Sequence, residues 1–369
     1  MSRDAGQRGP RVSLLMPNRD NAQILDLVLE RLAAHTDYHD FELVVVDDGS
    51  TDGSLELLRR WAGSGAFPEM RLIEREHSGV VDTLNAGLAA ATGELVVQLD
   101  ADASIETPGW LGKMVAFFCS DERIGAVTAK VVFDWGEVHA CGINVVGPAG
   151  LHDRGTEITE PVGKRTYHHR VLRCREGEAP ECEALVEVDG GIGCCMIYRR
   201  DVALEIGGYD PGFAPVWFDD LDLTLSIRRR GLKVFFFPEV RVVHHVGLRI
   251  GRGQDSAARR AALGVRRRAG AVLSPRVRQT LYHRVAHGLN LDRPPPEHWR
   301  RLVHHYAYWR EKWGFDMLNP DMDAVQRLWG ATEVCWATNP EMWEAGERIA
   351  EAFSSSLEVG TSRRNGERT

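Results

Sequence analysis

No apolar run in this chain of 369 residues approaches the ~18–20 residues that a membrane-spanning helix requires. Met1 to Arg11 is polar, without the apolar stretch of a secretory signal, so export is not expected. A basic surplus is also missing. Lysine and arginine number 45 against 53 aspartates and glutamates, a formal net charge of -8. Nucleic acid is therefore not expected as the main partner, since phosphate backbones need a basic footprint. The seven cysteines, at 119, 141, 174, 182, 194, 195 and 335, include no Cys-x-x-Cys and no framework spacing. Their odd count predicts reduced thiols in a cytoplasmic protein. Cys174, Cys182 and Cys194-Cys195 could gather round zinc with His168 or His169, but ordinary buried thiols are favoured. Finally, Met16-Pro17-Asn18-Arg19-Asp20 contains no glycine. That turn fits neither the Gly-x-Gly-x-x-Gly of a dinucleotide-binding dehydrogenase nor the glycine-rich phosphate loop of a nucleotidyltransferase.

What is present is a soluble, globular composition, 43% hydrophobic and 27% charged. The length suits one large α/β domain with an appendage, or two modest domains. Strand and helix patterns alternate over the first part. Strands are predicted at Arg11–Met16, Phe41–Asp47, Met70–Glu74 and Glu94–Leu99. Helices are predicted at Asn21–Ala34, Ser54–Trp61 and Val80–Ala91, and Thr107-Pro108 predicts the opening of another. Continuous apolar strands separated by helices imply right-handed βαβ units in a mostly parallel sheet, which gathers ligands at the strands' carboxyl ends. From Val131 to Val188 the pattern loosens into an irregular insertion. Order returns with a strand in Asp189–Tyr198, short helices from Arg200 and Asp219, and two strands, Lys233–Phe237 and Val240–His244, flanking Pro238. Gly253 to Arg301 is arginine-rich. Helices are expected at Trp299–Trp313 and Met322–Trp329, and Ser354–Thr369 reads as a disordered tail.

The most informative stretch is Asp100-Ala101-Asp102, where a strand ends in two carboxylates. Two residues apart on extended backbone, they share a face. They offer hard oxygen donors for a divalent cation on a phosphorylated ligand, although a strand end entering a solvated turn would also place Asp there. Other polar stations stand at Pro17-Asn18-Arg19-Asp20, Asp47-Asp48-Gly49-Ser50 and Trp217-Phe218-Asp219-Asp220-Leu221-Asp222. For the last, an acidic helix start with arginines at its far end is an ordinary dipole pattern. Trp217 and Phe218 leading into it add the apolar wall that a sugar site offers. Tyr209 and Phe213 are further candidates for sugar stacking, and core packing is the competing reading.

In this order the stations resemble the family 2 glycosyltransferases, over about Arg11 to Gly247. Gly207-Gly208-Tyr209-Asp210 and the Pro238 to His244 spacing strengthen the likeness, which leans towards the bacterial rhamnosyltransferase branch. The resemblance implies a GT-A (Rossmann-like) α/β fold over 1–250, with a nucleotide-binding half at about 11–105 and an acceptor-side half at about 106–250. A helical extension over 251–353 and the tail 354–369 would follow. It implies nucleotide-sugar binding by Pro17, Asn18, Arg19, Asp47, Asp48, Asp100, Gly191 and Trp217. Asp48 would accept a base N3–H, and Asp47 would contact the ribose or shape the turn. Asp102, with His244, would ligate Mn²⁺ or Mg²⁺, His245 being the weaker candidate, and Asp100 would meet the ribose or a metal-bound water. Asp220 would be the general base, with Asp219 close behind.

The sequence departs from the family where Pro-Thr-Tyr-Asn is usual. Here Pro17-Asn18-Arg19-Asp20 lacks an aromatic beside the base, and Arg19 could stack instead. The resulting expectation is an inverting, metal-dependent transferase moving a sugar from a UDP- or dTDP-sugar to a cell-surface glycan or lipid-linked acceptor. It would be cytoplasmic; the basic segment 259–301 reads as a solvated helical face, or as a peripheral contact for anionic lipid headgroups at the inner face of the membrane or for the diphosphate of a lipid-linked acceptor. A nucleotidyltransferase and a non-catalytic sugar-binding protein are the competing readings.

Overall fold

In the computed structural model the described residues are 9–146, 150–153, 156–161, 169–173, 176–177, 182–245, 277, 296–314, 348–349 and 351–355. The N-terminal half is built from β1 (Val12–Asn18), α1 (Ala22–His35), β2 (Phe41–Asp48), α2 (Ser54–Ala62), β3 (Met70–Arg75), α3 (Val80–Ala90) and β4 (Leu95–Leu99). Strands β4, β1, β2 and β3 lie side by side and parallel. Their residues alternate between two apolar layers, as a pleated strand requires. Leu14 and Met16 join Leu25, Val28 and Leu29 of α1, whereas Leu15 and Val44 join Val81, Leu84 and Leu88 of α3. Helix α3 lies so close to β1 that a Cβ on Gly87 would stand 1.9 Å from Leu15 Cδ1. A larger residue there would force the Leu15 side chain to shift.

The second half adds β5 (Ala103–Ile105), α4 (Trp110–Phe118), β6 (Ile124–Phe133), β7 (Val138–Ala140), β8 (Ile143–Val146), β9 (Gly150–Asp153), β10 (Thr156–Pro161), β11 (His169–Arg173), β12 (Val186–Val188), β13 (Cys195–Arg199), α5 (Arg200–Glu205), α6 (Asp219–Arg228) and β14 (Lys233–His244). Helix α7 (Pro296–Trp313) comes last among the long elements of the described residues. The main sheet runs β12-β14-β6-β13-β4-β1-β2-β3. Antiparallel β13 joins the parallel block to a second one, β6 beside β14. The sheet is parallel through its N-terminal half and mixed beyond.

Several local expectations change. Thr107-Pro108 does not cap α4, whose first residue is Trp110 after a left-handed Gly109; Thr107 Oγ1 instead accepts the Arg241 backbone N–H at 2.9 Å. The two strands around Pro238 are one strand, β14, whose register against β6 shifts between Phe237 and Arg241. A residue without an N–H is tolerated at such an irregularity. The loose region after Val131 carries two antiparallel pairs, β8 with β9 and β10 with β11. Arg228, one of the arginines at the far end of α6, is buried between Glu187 Oε1 and the Val188 carbonyl, both at 2.9 Å. Cys141 and Cys182 form a disulfide, so the thiols are not all reduced. Among the described residues no helix is long and apolar enough to cross a membrane. The predicted Met322–Trp329 helix and nearly all of the basic segment 259–301 lie outside the described residues.

Candidate active site

The carboxyl ends of β1, β2 and β4 open into one cleft of about 880 Å³. Pro17, Asn18, Arg19, Asp48, Asp100, Asp102, Trp217, Asp219 and Asp220 line it. Four stretches that are far apart in sequence therefore line one cleft, three of them at strand ends as parallel βαβ topology dictates.

Asp47 and Asp48 divide their work. Asp47 turns away from the cleft and accepts from Asn18 Nδ2 at 2.7 Å, Ser50 Oγ at 2.6 Å and the Ser50 N–H at 2.9 Å. It ties the turn after β2 to the end of β1. Asp48 faces the cleft and holds the loop after β3, accepting the Ser78 N–H at 2.7 Å and the Gly79 N–H at 3.1 Å, with His77 Nδ1 at 2.7 Å. Burial would raise its pKa, but the Ser78 N–H, the His77 ring and the Gly79 N–H outweigh it and hold the carboxyl below its ordinary value.

The Asp-x-Asp station owes its third member to strand register. β5 pairs antiparallel with β14, setting His244 opposite Ala103, and the His245 N–H donates to the Asp102 carbonyl at 2.8 Å. This brings His244 Nε2 to 3.3 Å from Asp102 Oδ1. One ligand atom each from Asp100, Asp102 and His244 lie within 4.8 Å of one another. Two carboxylates and an imidazole suit Mn²⁺ or Mg²⁺ in donor type and spacing. His245 turns elsewhere, its Nε2 at 2.8 Å from Ser104 Oγ.

Across the cleft, Trp217 (φ 85°) and Phe218 (φ 69°) both adopt left-handed backbone immediately before α6. Such conformations cost about 1–3 kcal/mol each without glycine, and persist where packing holds them. Helix α7 supplies that packing. The Phe218 ring meets Tyr306 at 5.4 Å and His305 at 6.1 Å, and the Arg301 guanidinium lies 5.5 Å over the Trp217 ring. The chain so held starts α6 with Asp219 and Asp220. Burial, and then the charge of Asp220, push the Asp219 carboxyl well above the usual range, so it favours its neutral form. Asp220 is half-buried, and its Oδ2 accepts the Gly193 N–H at 2.8 Å. Of the two, Asp220 is the less buried carboxylate, held at the cleft by the Gly193 N–H.

Other expectations resolve differently. Gly191 does not line the cleft; it packs behind the wall, where an added Cβ would stand 2.9 Å from Met196 Sδ and 3.1 Å from Thr128 Cβ. Tyr209 and Phe213 are fully buried, and Tyr209 Oη donates to Gln98 Oε1 at 2.8 Å, so core packing accounts for both. Cys182 is committed to its disulfide, which removes it from the zinc grouping; Cys174 and His168 lie outside the described residues. The cleft-lining residues to which sequence reasoning gave no role include His77, His139 and Tyr306; Cys194 entered only as a zinc candidate and Arg301 only as the end of the basic segment. Each stands in a stretch with no motif of its own. Only the strand end before His77 offered a signal.

The sequence profile of Glycosyl transferase family 2 matches residues 13–207. Among curated proteins, an uncharacterized protein of Sinorhizobium fredii is 28% identical over 256 residues, 68% of this chain and 26% of its own length. The O-antigen biosynthesis protein RfbC of Myxococcus xanthus is 28% identical over 260 residues, 68% of this chain and 18% of its own length. A PGL/p-HBAD biosynthesis glycosyltransferase of Mycobacterium tuberculosis is 34% identical over 133 residues, 34% of this chain and 51% of its own length. The chain thus spans only 26% and 18% of the length of the first two relatives. Among solved structures, a mannosyltransferase of Pyrobaculum calidifontis in complex with GDP-Man and Mn²⁺ is 20% identical, with 90% of this chain and 89% of that one covered and a TM-score of 0.48.

Proposed function

The profile match spans more than half of the chain, which therefore belongs to Glycosyl transferase family 2, and we propose from that premise that it is an inverting, metal-dependent transferase. Its donor is a UDP- or dTDP-sugar and its acceptor a hydroxyl of a cell-surface glycan or lipid-linked glycan. One observation carries this reading. The Asp100, Asp102 and His244 group and the Asp219-Asp220 pair meet in one cleft large enough for a nucleotide sugar. Binding alone would need no base there.

Asp220 takes the acceptor hydroxyl's proton as its oxygen attacks the anomeric carbon, and the nucleoside diphosphate departs from the opposite face. Asp219, kept neutral, donates a hydrogen bond and limits the charge on that wall. Asp100, Asp102 and His244 hold the divalent cation, which when bound stabilises the negative charge of the leaving diphosphate. Pro17, Asn18 and Arg19 border the nucleotide, and Asp48 faces the base. Trp217 forms the apolar wall for the sugar. The names of the Myxococcus and Mycobacterium relatives support a surface-glycan or glycolipid acceptor.

A panel of UDP-, dTDP- and GDP-sugars, each with and without Mn²⁺, tests the proposal through binding and slow donor hydrolysis. Metal-dependent binding of a UDP- or dTDP-sugar is expected. Binding of none of them with metal present rejects the transferase reading.

A further inference from the structure

His244 has two ring nitrogens, and they face different neighbours. Nε2 points to Asp102, as described above. Nδ1 lies 3.1 Å from His139 Nδ1 and 3.6 Å from Cys194 Sγ. The three side chains arrive from separate places: His139 from β7, Cys194 from the residue before β13, and His244 from the end of β14. One ligand atom from each lies within 4.8 Å of the others. A tetrahedral zinc with Zn–N of about 2.0 Å and Zn–S of about 2.3 Å sets its ligand atoms roughly 3.3–3.6 Å apart. The two distances to His244 Nδ1 bracket that range.

The ligands are also held in place. The His139 ring packs against Phe133, at 4.5 Å, and against His244, at 5.1 Å, and Phe133 in turn stacks on Trp135 at 4.4 Å. Cys194 is buried, and its backbone carbonyl accepts the Asp100 N–H at 3.2 Å. His139 and Cys194 both line the cleft, so an ion can reach them from solvent. Two imidazoles and a thiol form a softer donor set than the two carboxylates beside them, and softer donors select zinc over manganese or magnesium.

We propose that His139, Cys194 and His244 form a second cation site, selective for zinc, that shares the His244 ring with the Asp100–Asp102 station. Cys194 binds as the thiolate, its proton passing to solvent, and the fourth position opens to the cleft. With zinc on Nδ1 the ring keeps its proton on Nε2, which then donates to Asp102 and is no longer free to ligate a second cation. Zinc therefore opposes binding of the harder cation rather than replacing it. This site does not depend on the transferase reading, because its test reads a metal–sulfur bond and not sugar transfer.

The experiment is titration of the full chain, stripped of metal and kept free of added thiols, with Co²⁺ as a visible substitute for zinc. The expected result is a near-ultraviolet thiolate-to-cobalt band that Zn²⁺ abolishes and Mg²⁺ does not. Cys194→Ser should remove the band while circular dichroism stays unchanged. His139→Gln should weaken Co²⁺ binding by at least the 10–100-fold that loss of a supporting partner typically brings, so about tenfold is the minimum. Asp102→Asn should keep the band, which separates this site from the carboxylate station. Absence of the band in the unaltered protein overturns the proposal and leaves a hydrogen-bonded His–His–Cys cluster. Persistence of the band in folded Cys194→Ser overturns it equally, by placing the cobalt on another cysteine.

Discussion

Lys312 donates to Asp222 Oδ2 at 2.8 Å although 90 residues separate them. Trp313 Nε1 donates to the other oxygen at 2.9 Å, and Tyr308 and Lys312 both reach Asp210. Helix α7 is thereby clamped to the first turn of the helix that begins with Asp219 and Asp220. The same helix supports Trp217 and Phe218, so α7 and the acidic pair stand or fall together.

Lys312→Met should therefore act well beyond a surface change. It leaves Asp222, only 2% exposed, without its cation. The expected loss is about 3 kcal/mol of unfolding free energy, as for a broken buried pair. Denaturant titration measures it. A loss below about 1 kcal/mol, the size of an exposed pair, would contradict the clamp.

Asp222 also gives the stability a pH dependence. Burial is the main cause that pushes its carboxyl up to about 6, against which Lys312 pulls it down. A folded-state pKa above the unfolded value means a contribution fully present below about pH 4 and lost as pH rises through about 6. Asp222→Asn never ionises. Its stability relative to the unaltered protein should improve between about pH 4 and pH 7, by up to about 3 kcal/mol. A difference that stays flat across this range would contradict the assignment.

The strand ends were legible in sequence because each combines apolar residues with an abrupt polar stop, and the structure puts Asn18, Asp48 and Asp100 at or just past the ends of β1, β2 and β4. Periodicity also located α1 and α3 to within a residue or two. What escaped are contacts made by sheet order rather than by local pattern. His77 reaches Asp48 across 29 residues, and His139 reaches His244 across 105. Neither neighbour carries a spacing that announces its partner. The Cys141–Cys182 disulfide was missed for the same reason, its 41-residue separation matching no framework. Tyr209 looked like a sugar platform because an aromatic after two glycines offers no clue that its hydroxyl bonds the buried Gln98.

Asp102→Ala should abolish any gain in donor affinity that Mn²⁺ provides, since it removes the only fully buried carboxylate of the cation group among the described residues. His244→Asn should weaken the gain without ending it. Isothermal titration of donor with and without metal gives both values. An unchanged metal effect in Asp102→Ala would remove Asp102 as a ligand.

The division between holding the donor and activating the acceptor is measured most directly by Asp220→Asn. Donor affinity in the presence of Mn²⁺ should stay within about threefold, while kcat should fall by about 10²–10⁴, the usual worth of a general base. Asp219→Asn, already close to the neutral form that Asp219 favours, should lose far less. A kcat preserved in Asp220→Asn, or a variant that loses donor binding together with transfer, would contradict Asp220 as the base.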